Sequence, residues 1–158
     1  MATRGELMRT IHLLPAIAIF CAAGCAPQPA FKPVASVKQL MATTIDPAAE
    51  VVFDAVGTIV SASGVEEIAP KNDAEWTTVR NNALLLAECG NLLMIGDRAK
   101  DKGDWMKMSQ ALVDVGVVAL KAAEAKNPEA LFEAGGQVYE VCRQCHDRYW
   151  DEGARRRP

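Results

Sequence analysis

Cys142, Arg143, Gln144, Cys145 and His146 stand in series near the end of a chain of 158 residues. Each thiol of a Cys-x-x-Cys pair can add across one vinyl group of a haem. A histidine directly after the second thiol then places its imidazole within reach of the iron, so this spacing is the attachment signature of c-type haem. Two other chemistries use a Cys-x-x-Cys pair. A structural zinc site needs further Cys or His ligands, usually as a second close pair, and no second pair accompanies this one. A thioredoxin-like dithiol sits near a strand-helix-strand pattern, and no such pattern precedes Cys142. Haem attachment is therefore the expected chemistry, with Cys142 and Cys145 as the covalent links and His146 as an axial ligand.

The first residues point to export. Arg4 and Arg9 make a basic start, Ile11 to Phe20 is an apolar run broken by His12 and Pro15, and Ala22, Ala23, Gly24 and Cys25 follow. The run is too short for a bilayer span and has the form of a secretory signal. Its Ala-Ala-Gly-Cys ending resembles a bacterial lipobox, although Ala22 stands where leucine is commoner. That resemblance implies lipidation of Cys25 as the first mature residue. Ordinary cleavage near Gly24, releasing a soluble protein, is the alternative. Pro27, Pro29 and Pro33 keep the next segment extended and outside any core, as a tether should be. The expected organisation is a signal peptide over 1–24, a tether over 25–33, a helical domain over 34–152 and a basic tail over 153–158.

Of five cysteines, Cys21 leaves with the signal, Cys25 takes lipid and two hold haem. Cys89 remains without an internal partner, and its apolar neighbours favour burial as a small hydrophobe over pairing between chains. The whole chain carries a net charge of −3, and losing Arg4, Arg9 and Glu6 leaves the mature part at −4. That mild acidity argues against nucleic acid and suits a basic protein partner. Arg155, Arg156 and Arg157 form a basic exception, read first as a solvated end and second as a contact for an acidic partner or anionic lipid.

Apolar residues recur at steps of three and four in four blocks, so helix is expected throughout and strand nowhere. The first block holds Val34, Val37, Met41, Ile45, Ala48, Val52, Ala55 and Ile59, with Pro47 set to kink or divide it. Ser61 to Lys71 reads as a loop broken by Gly64 and Pro70. The second block, from about Asp73 to Ile95, lines up Trp76, Val79, Ala83, Leu86, Gly90 and Leu93, with Asp73 as its cap and Gly96 as its stop. The third starts near Asp104 with Trp105, Met108, Leu112, Val115, Ala119 and Ala122. Asn127, Pro128 and Glu129 open the fourth, which aligns Leu131, Gly135, Val138, Cys142, Cys145 and Tyr149, with Phe132, Tyr139 and His146 alongside. Short connections make neighbouring helices antiparallel, so the expected fold is all-α, an up-down-up-down four-helix bundle with haem on the last helix.

With His12 removed, His146 is the only histidine of the mature chain, and paired histidine ligation within one chain is excluded. The second axial ligand must be a methionine, another nitrogen donor, water or nothing. Met41, Met94, Met106 and Met108 all fall at the bundle level expected for His146. Met41 and Met108 lie on inward stripes.

A Cys-x-x-Cys-His motif at the end of the last helix of a four-helix bundle resembles the class II c-type cytochromes, the cytochrome c-prime fold. Leu40, Met41, Ala42, Ile45, Asp46, Pro47, and later Glu75 and Trp76, look like the low-spin branch of that family, over about Val34 to Trp150. The resemblance implies that Met41 binds iron opposite His146, that one haem c is the cofactor, and that the protein carries single electrons outside the cytoplasmic membrane without acting as an enzyme. It implies redox partner proteins, and many relatives form a homodimer through their first two helices. A five-coordinate gas-binding or sensing protein, or a haem subunit of a larger oxidoreductase, is the alternative. Many members carry an arginine four residues before the methionine, near a haem propionate. This chain has Val37 there, with Lys38, Arg98, Arg143 and Arg148 as the available cations.

The lipid expectation has a direct outcome. Cells fed labelled fatty acid will label the protein, and Cys25→Ser will abolish the label and move the protein from the membrane to the soluble fraction.

Overall fold

The computed structural model describes residues 31–150. The signal segment, Cys25, most of the tether, and the basic tail lie outside the described residues. Among the described residues the chain is mostly helical. It forms α1 (Val37–Leu40), a π-helical turn (Met41–Ile45), α2 (Asp46–Asp54), β1 (Gly57–Ser61), β2 (Gly64–Ile68), α3 (Asp73–Leu93), a 3-10 turn (Gly96–Arg98), α4 (Asp104–Glu124) and α5 (Pro128–Tyr149). None of these helices is long and apolar enough to cross a membrane.

The starts of α1, α3 and α5 are each closed by a polar side chain. Ser36 and Gln39 form a reciprocal cap on α1: Gln39 N donates to Ser36 Oγ at 3.3 Å and Ser36 N to Gln39 Oε1 at 2.9 Å. Such a pair satisfies two amides that no helical carbonyl can reach. At α3 the cap is Asn72, whose Oδ1 accepts from Ala74 N and Glu75 N, both at 3.0 Å. Asp73, expected in that role, sits one residue inside and pairs instead with Lys126 Nζ at 2.8 Å. Asn127 caps α5 through Ala130 N at 3.0 Å, with Pro128 in the first turn as expected.

Pro47 does divide the first helical block. Its ring would collide with the carbonyl four residues back in a regular helix. The chain widens instead into the π turn, which ends with Asp46 N donating to Met41 O. Thr43 Oγ1 donates to Gln39 O at 2.8 Å, giving one carbonyl of the disturbed turn a partner. Two expectations for this block are corrected. Val34 precedes the helix and is exposed, and the helix ends at Asp54, so Ile59 belongs to a strand.

The segment read as a loop is an antiparallel hairpin, with Ile59 opposite Glu66 and Val60 opposite Val65 around a two-residue turn. Gly64 turns with φ +139, a conformation closed to side-chain-bearing residues. Nearly every strand residue is exposed, so neither face carried the apolar alternation that marks a half-buried strand.

The core lies among the long helices and α2. Val52, Leu86, Cys89, Leu131 and Val138 are its largest fully buried side chains, and the burial expected for Cys89 is what the structure has. The α3–α4 contact is backbone against backbone. A β-carbon on Gly116 would lie 2.7 Å from Ala87 N, and one on Gly90 would lie 2.6 Å from Ser109 O. The end of α3 meets the start of α4, where the Trp105 indole Nε1 donates to Leu93 O at 2.8 Å. The start of α3 meets the end of α4 through Asp73 and Lys126. The end of α5 returns to the start of α4, where the Tyr149 and Trp105 rings meet edge to face at 5.0 Å.

The glycine contacts set a paired test. Gly116→Ala should lower unfolding stability in urea by about 2 kcal/mol through overpacking. Gly136→Ala, where nothing lies within 4 Å of the new carbon, should leave stability unchanged or raise it by up to about 1 kcal/mol.

Candidate haem-attachment site

Cys142, Cys145 and His146 occupy the last two turns of α5. The two thiols share the helix face of Leu131, Gly135 and Val138, with His146 on its flank. Along that face burial changes abruptly. Leu131 and Val138 are 0% exposed, whereas Cys142, Cys145 and Tyr149 are only half-buried, as is His146. The core thus closes below the motif and stays open beside it.

Neighbouring groups hold this end of α5 in place. The Tyr149 hydroxyl donates to the Asp101 carboxylate. The other Asp101 oxygen accepts from Gly103 N at 2.7 Å and Trp105 N at 3.2 Å, closing the start of α4. These bonds, led by that from Tyr149, hold the Asp101 carboxyl below the usual range. Arg148 Nη2 lies 3.6 Å from Asp104 Oδ2, and the His146 and Trp150 rings meet edge to face at 4.6 Å. On the outer face Arg143 bridges Glu140 at 2.6 Å and Asp147 at 2.8 Å. The Arg143 hydrogen bond, helped by Gln144, holds the Glu140 carboxyl down at about 2. This lattice is exposed and adds little stability, but it occupies Arg143.

The electrostatics of the thiols separate two chemistries. Burial, the adjacent Cys145 and the Asp46 carboxylate push the Cys142 thiol up to about 11, and burial raises Cys145 as well. Both are protonated at neutral pH. A redox dithiol needs the opposite, a thiolate stabilised at a helix N-terminus or beside a cation. Here the pair sits at the carbonyl end of a helix, where the macrodipole also disfavours negative charge. Among the described residues no group of three or more His, Cys, Asp and Glu side chains gathers as a metal site.

The packing of α2 against α5 is marked at two places. Asp46 opens α2 near enough for its charge to raise the Cys142 thiol. Further along α2, Phe53 meets the Tyr139 ring edge to face at 6.5 Å and lies 3.7 Å from where a Gly135 β-carbon would stand. As α2 advances, α5 is met at earlier residues. Met41 lies one turn before Asp46, toward the end of α2 that faces the motif. Met41 is half-buried against the core and begins the π turn, a widened geometry often found at functional sites.

The other methionines are elsewhere. Met94 and Met106 line a cavity of ≈ 460 Å³ with Lys107, Gln110, Ala111 and Asp114. A second cavity of ≈ 260 Å³ lies between the start of α3 and the end of α4. Neither reaches Cys142, Cys145, His146 or Met41. Met108 is half-buried on α4. Of the four candidate cations, Lys38, Arg143 and Arg148 are exposed and Arg98 is buried.

The residues of α5 fit a haem: two protonated thiols on one helix face, an imidazole beside them, and an unsealed core edge. Sequence reasoning missed the Asp101 hub, although Asp101 followed by Gly103 has the composition of a side-chain-closed turn. Asp46 gave no sequence signal of its proximity to Cys142.

The thiol environment makes a pH prediction. The folded value of Cys142 lies above its ordinary 9.0, near 11, so its contribution to stability is whole below pH 9 and is lost as pH rises through 11. Haem-free chain should therefore lose more urea stability between pH 8.5 and 11 than Cys142→Ala does. At pH 8 its Cys142 should alkylate roughly 100-fold more slowly than a free thiol.

The chain matches no family model, no curated protein and no solved structure.

Proposed function

We propose that the protein is a monohaem c-type cytochrome, an up-down-up-down four-helix bundle that passes single electrons outside the bacterial cytoplasmic membrane. The observation that supports this reading is the packing of α2 against α5, with Phe53 beside Tyr139 and Asp46 near enough to raise the Cys142 thiol; the same packing continued would bring Met41 toward His146. A haem held there would supply an iron that gains and loses one electron.

The chain's own residues account for the rest. Cys142 and Cys145 form the two thioether links, which keep the group attached in an exported protein. His146 and Met41 would hold the iron, and an iron so held would offer no vacancy to a substrate. A thioether ligand favours the reduced state and raises the potential. Tyr149, Asp101 and Trp105 fix the end of α5, and the Ser36 cap fixes the start of the helix that carries Met41. Rigid ligands limit rearrangement between oxidation states, as an electron carrier requires. Cys25, if lipidated, tethers the domain to the membrane on the periplasmic side, within reach of redox partner proteins.

The reading is tested at Met41. The mature protein should show a low-spin spectrum with a sulfur-to-iron charge-transfer band when oxidised, and should bind carbon monoxide negligibly when reduced. Met41→Ala should abolish that band, lower the potential and raise carbon monoxide binding by at least about tenfold, whereas Met94→Leu and Met106→Leu should change none of these. Rapid carbon monoxide binding by the unaltered protein would instead favour an open-site gas-binding protein.

A further inference from the structure

Arg98 ends the 3-10 turn between α3 and α4, and its side chain is only 9% exposed. Its Nε donates to Ala35 O at 3.0 Å and its Nη1 to Leu92 O at 3.2 Å. Both acceptors are neutral carbonyls. None of the ion pairs among the described residues includes it. A buried guanidinium without a counter-ion is costly, since neutral acceptors repay only part of the hydration it has lost. The other cations near this end of the molecule are exposed, and the two arginines among them have acidic neighbours: Arg143 bridges Glu140 and Asp147, and Arg148 faces Asp104.

Position singles out the same residue. Through Ala35, Arg98 lies beside the start of the helix that carries Met41, two residues before Val37. Through Leu92 it touches the end of α3. The next carbonyl, Leu93 O, is held by Trp105, whose ring packs on Tyr149, three residues beyond His146. Arg98 thus stands at the end of the domain where the motif and Met41 lie.

We propose that Arg98 is the anchor of a haem propionate, supplied from the α3–α4 connection in place of an arginine on the first helix. The inference rests on the haem reading above. A guanidinium presents its donors as a planar fork that matches a carboxylate. With Nε and one Nη1 hydrogen directed at backbone carbonyls, the second Nη1 hydrogen and those of Nη2 are left to meet the propionate. The charge is then neutralised where it is buried. The same side chain ties the start of the Met41 helix to the group that Met41 ligates, so Arg98 acts on the iron as a positioning residue.

The test compares the mature, membrane-extracted protein with Arg98→Gln and Arg98→Lys. Intact mass first reports whether haem is covalently present. The expected result is that all three proteins retain it. Arg98→Gln should shift the propionate bending mode in the resonance Raman spectrum. It should also lower the reduction equilibrium constant about tenfold, which is 59 mV for a one-electron couple and the scale of one lost charge at about 10 Å in an effective dielectric near 20. Arg98→Lys, which keeps the charge and loses the fork, should restore most of the potential while leaving the mode shifted. If both variants carry haem and neither alters the mode, Arg98 is only a strap between Ala35 and Leu92 and the proposal is overturned. Should Arg98→Gln fail to accumulate, the Raman comparison with Arg98→Lys decides alone. Absence of haem from the unaltered protein would overturn the haem reading itself, an outcome distinct from the others.

Discussion

Two ligands on different helices can share one metal only if those helices cannot slide past each other by a turn. On the proposed reading that constraint falls on α2 and α5. Phe53 lies beside Tyr139 and Gly135, and the Asp46 charge acts on Cys142 nearer the other end of α2, so a slip of one turn would disturb both. Phe53 lies at ordinary contact distance from Gly135, and the π turn matters because it resets the helix just before Pro47. The widened turn places Met41 after a full cap and before a rigid proline, between two fixed points.

The other end of the register is held at α4. Asp101 is exposed, yet its carboxylate accepts from Tyr149 and from two amides at the start of α4. Trp105 lies on the Tyr149 ring and closes the last turn of α3. One short stretch, Asp101 to Trp105, therefore ends one helix, begins the next and docks a third. Below it, the glycine contacts of α3 with α4 admit no larger side chain, so this pair forms a stiff platform. On the proposed reading, stiffness would suit ligands that must stay put as charge changes, and the half-buried motif would leave an edge for an electron to pass.

Much of this was legible in the sequence because long helices advertise themselves. The stripes on α3, α4 and α5 were read correctly from Trp76 to Leu93, from Trp105 to Ala122 and from Leu131 to Val138, since a buried face repeated over five or six turns cannot be mistaken. The Asn127-Pro128 start was equally clear. The hairpin was not, because Thr58 to Val60 and Val65 to Ile68 face water on both sides and lack alternation. The cap moved from Asp73 to Asn72 because either residue can accept amide bonds, and only the pull of Lys126 decides between them. Pro47 announced a break but not its form, since a kink and a widened turn both relieve the same clash. Within the site, the motif was visible as spacing, whereas its neighbours Asp46 and Asp101 are brought in by packing that no local pattern encodes.

The raised Cys142 thiol bears on how the site is read. A thiol held protonated by burial and by Asp46 is a poor redox catalyst and a poor metal thiolate, but a thioether carries no charge and would suffer neither penalty. The surroundings of Cys142 and Cys145 thus favour uncharged sulfur, which a thioether is. The most direct measurement is peptide mass spectrometry of the mature protein over the segment spanning Cys142 to His146. The account predicts a single peptide heavier by one haem with both thiols consumed. A peptide of unmodified mass whose two thiols still react with alkylating reagent would contradict it.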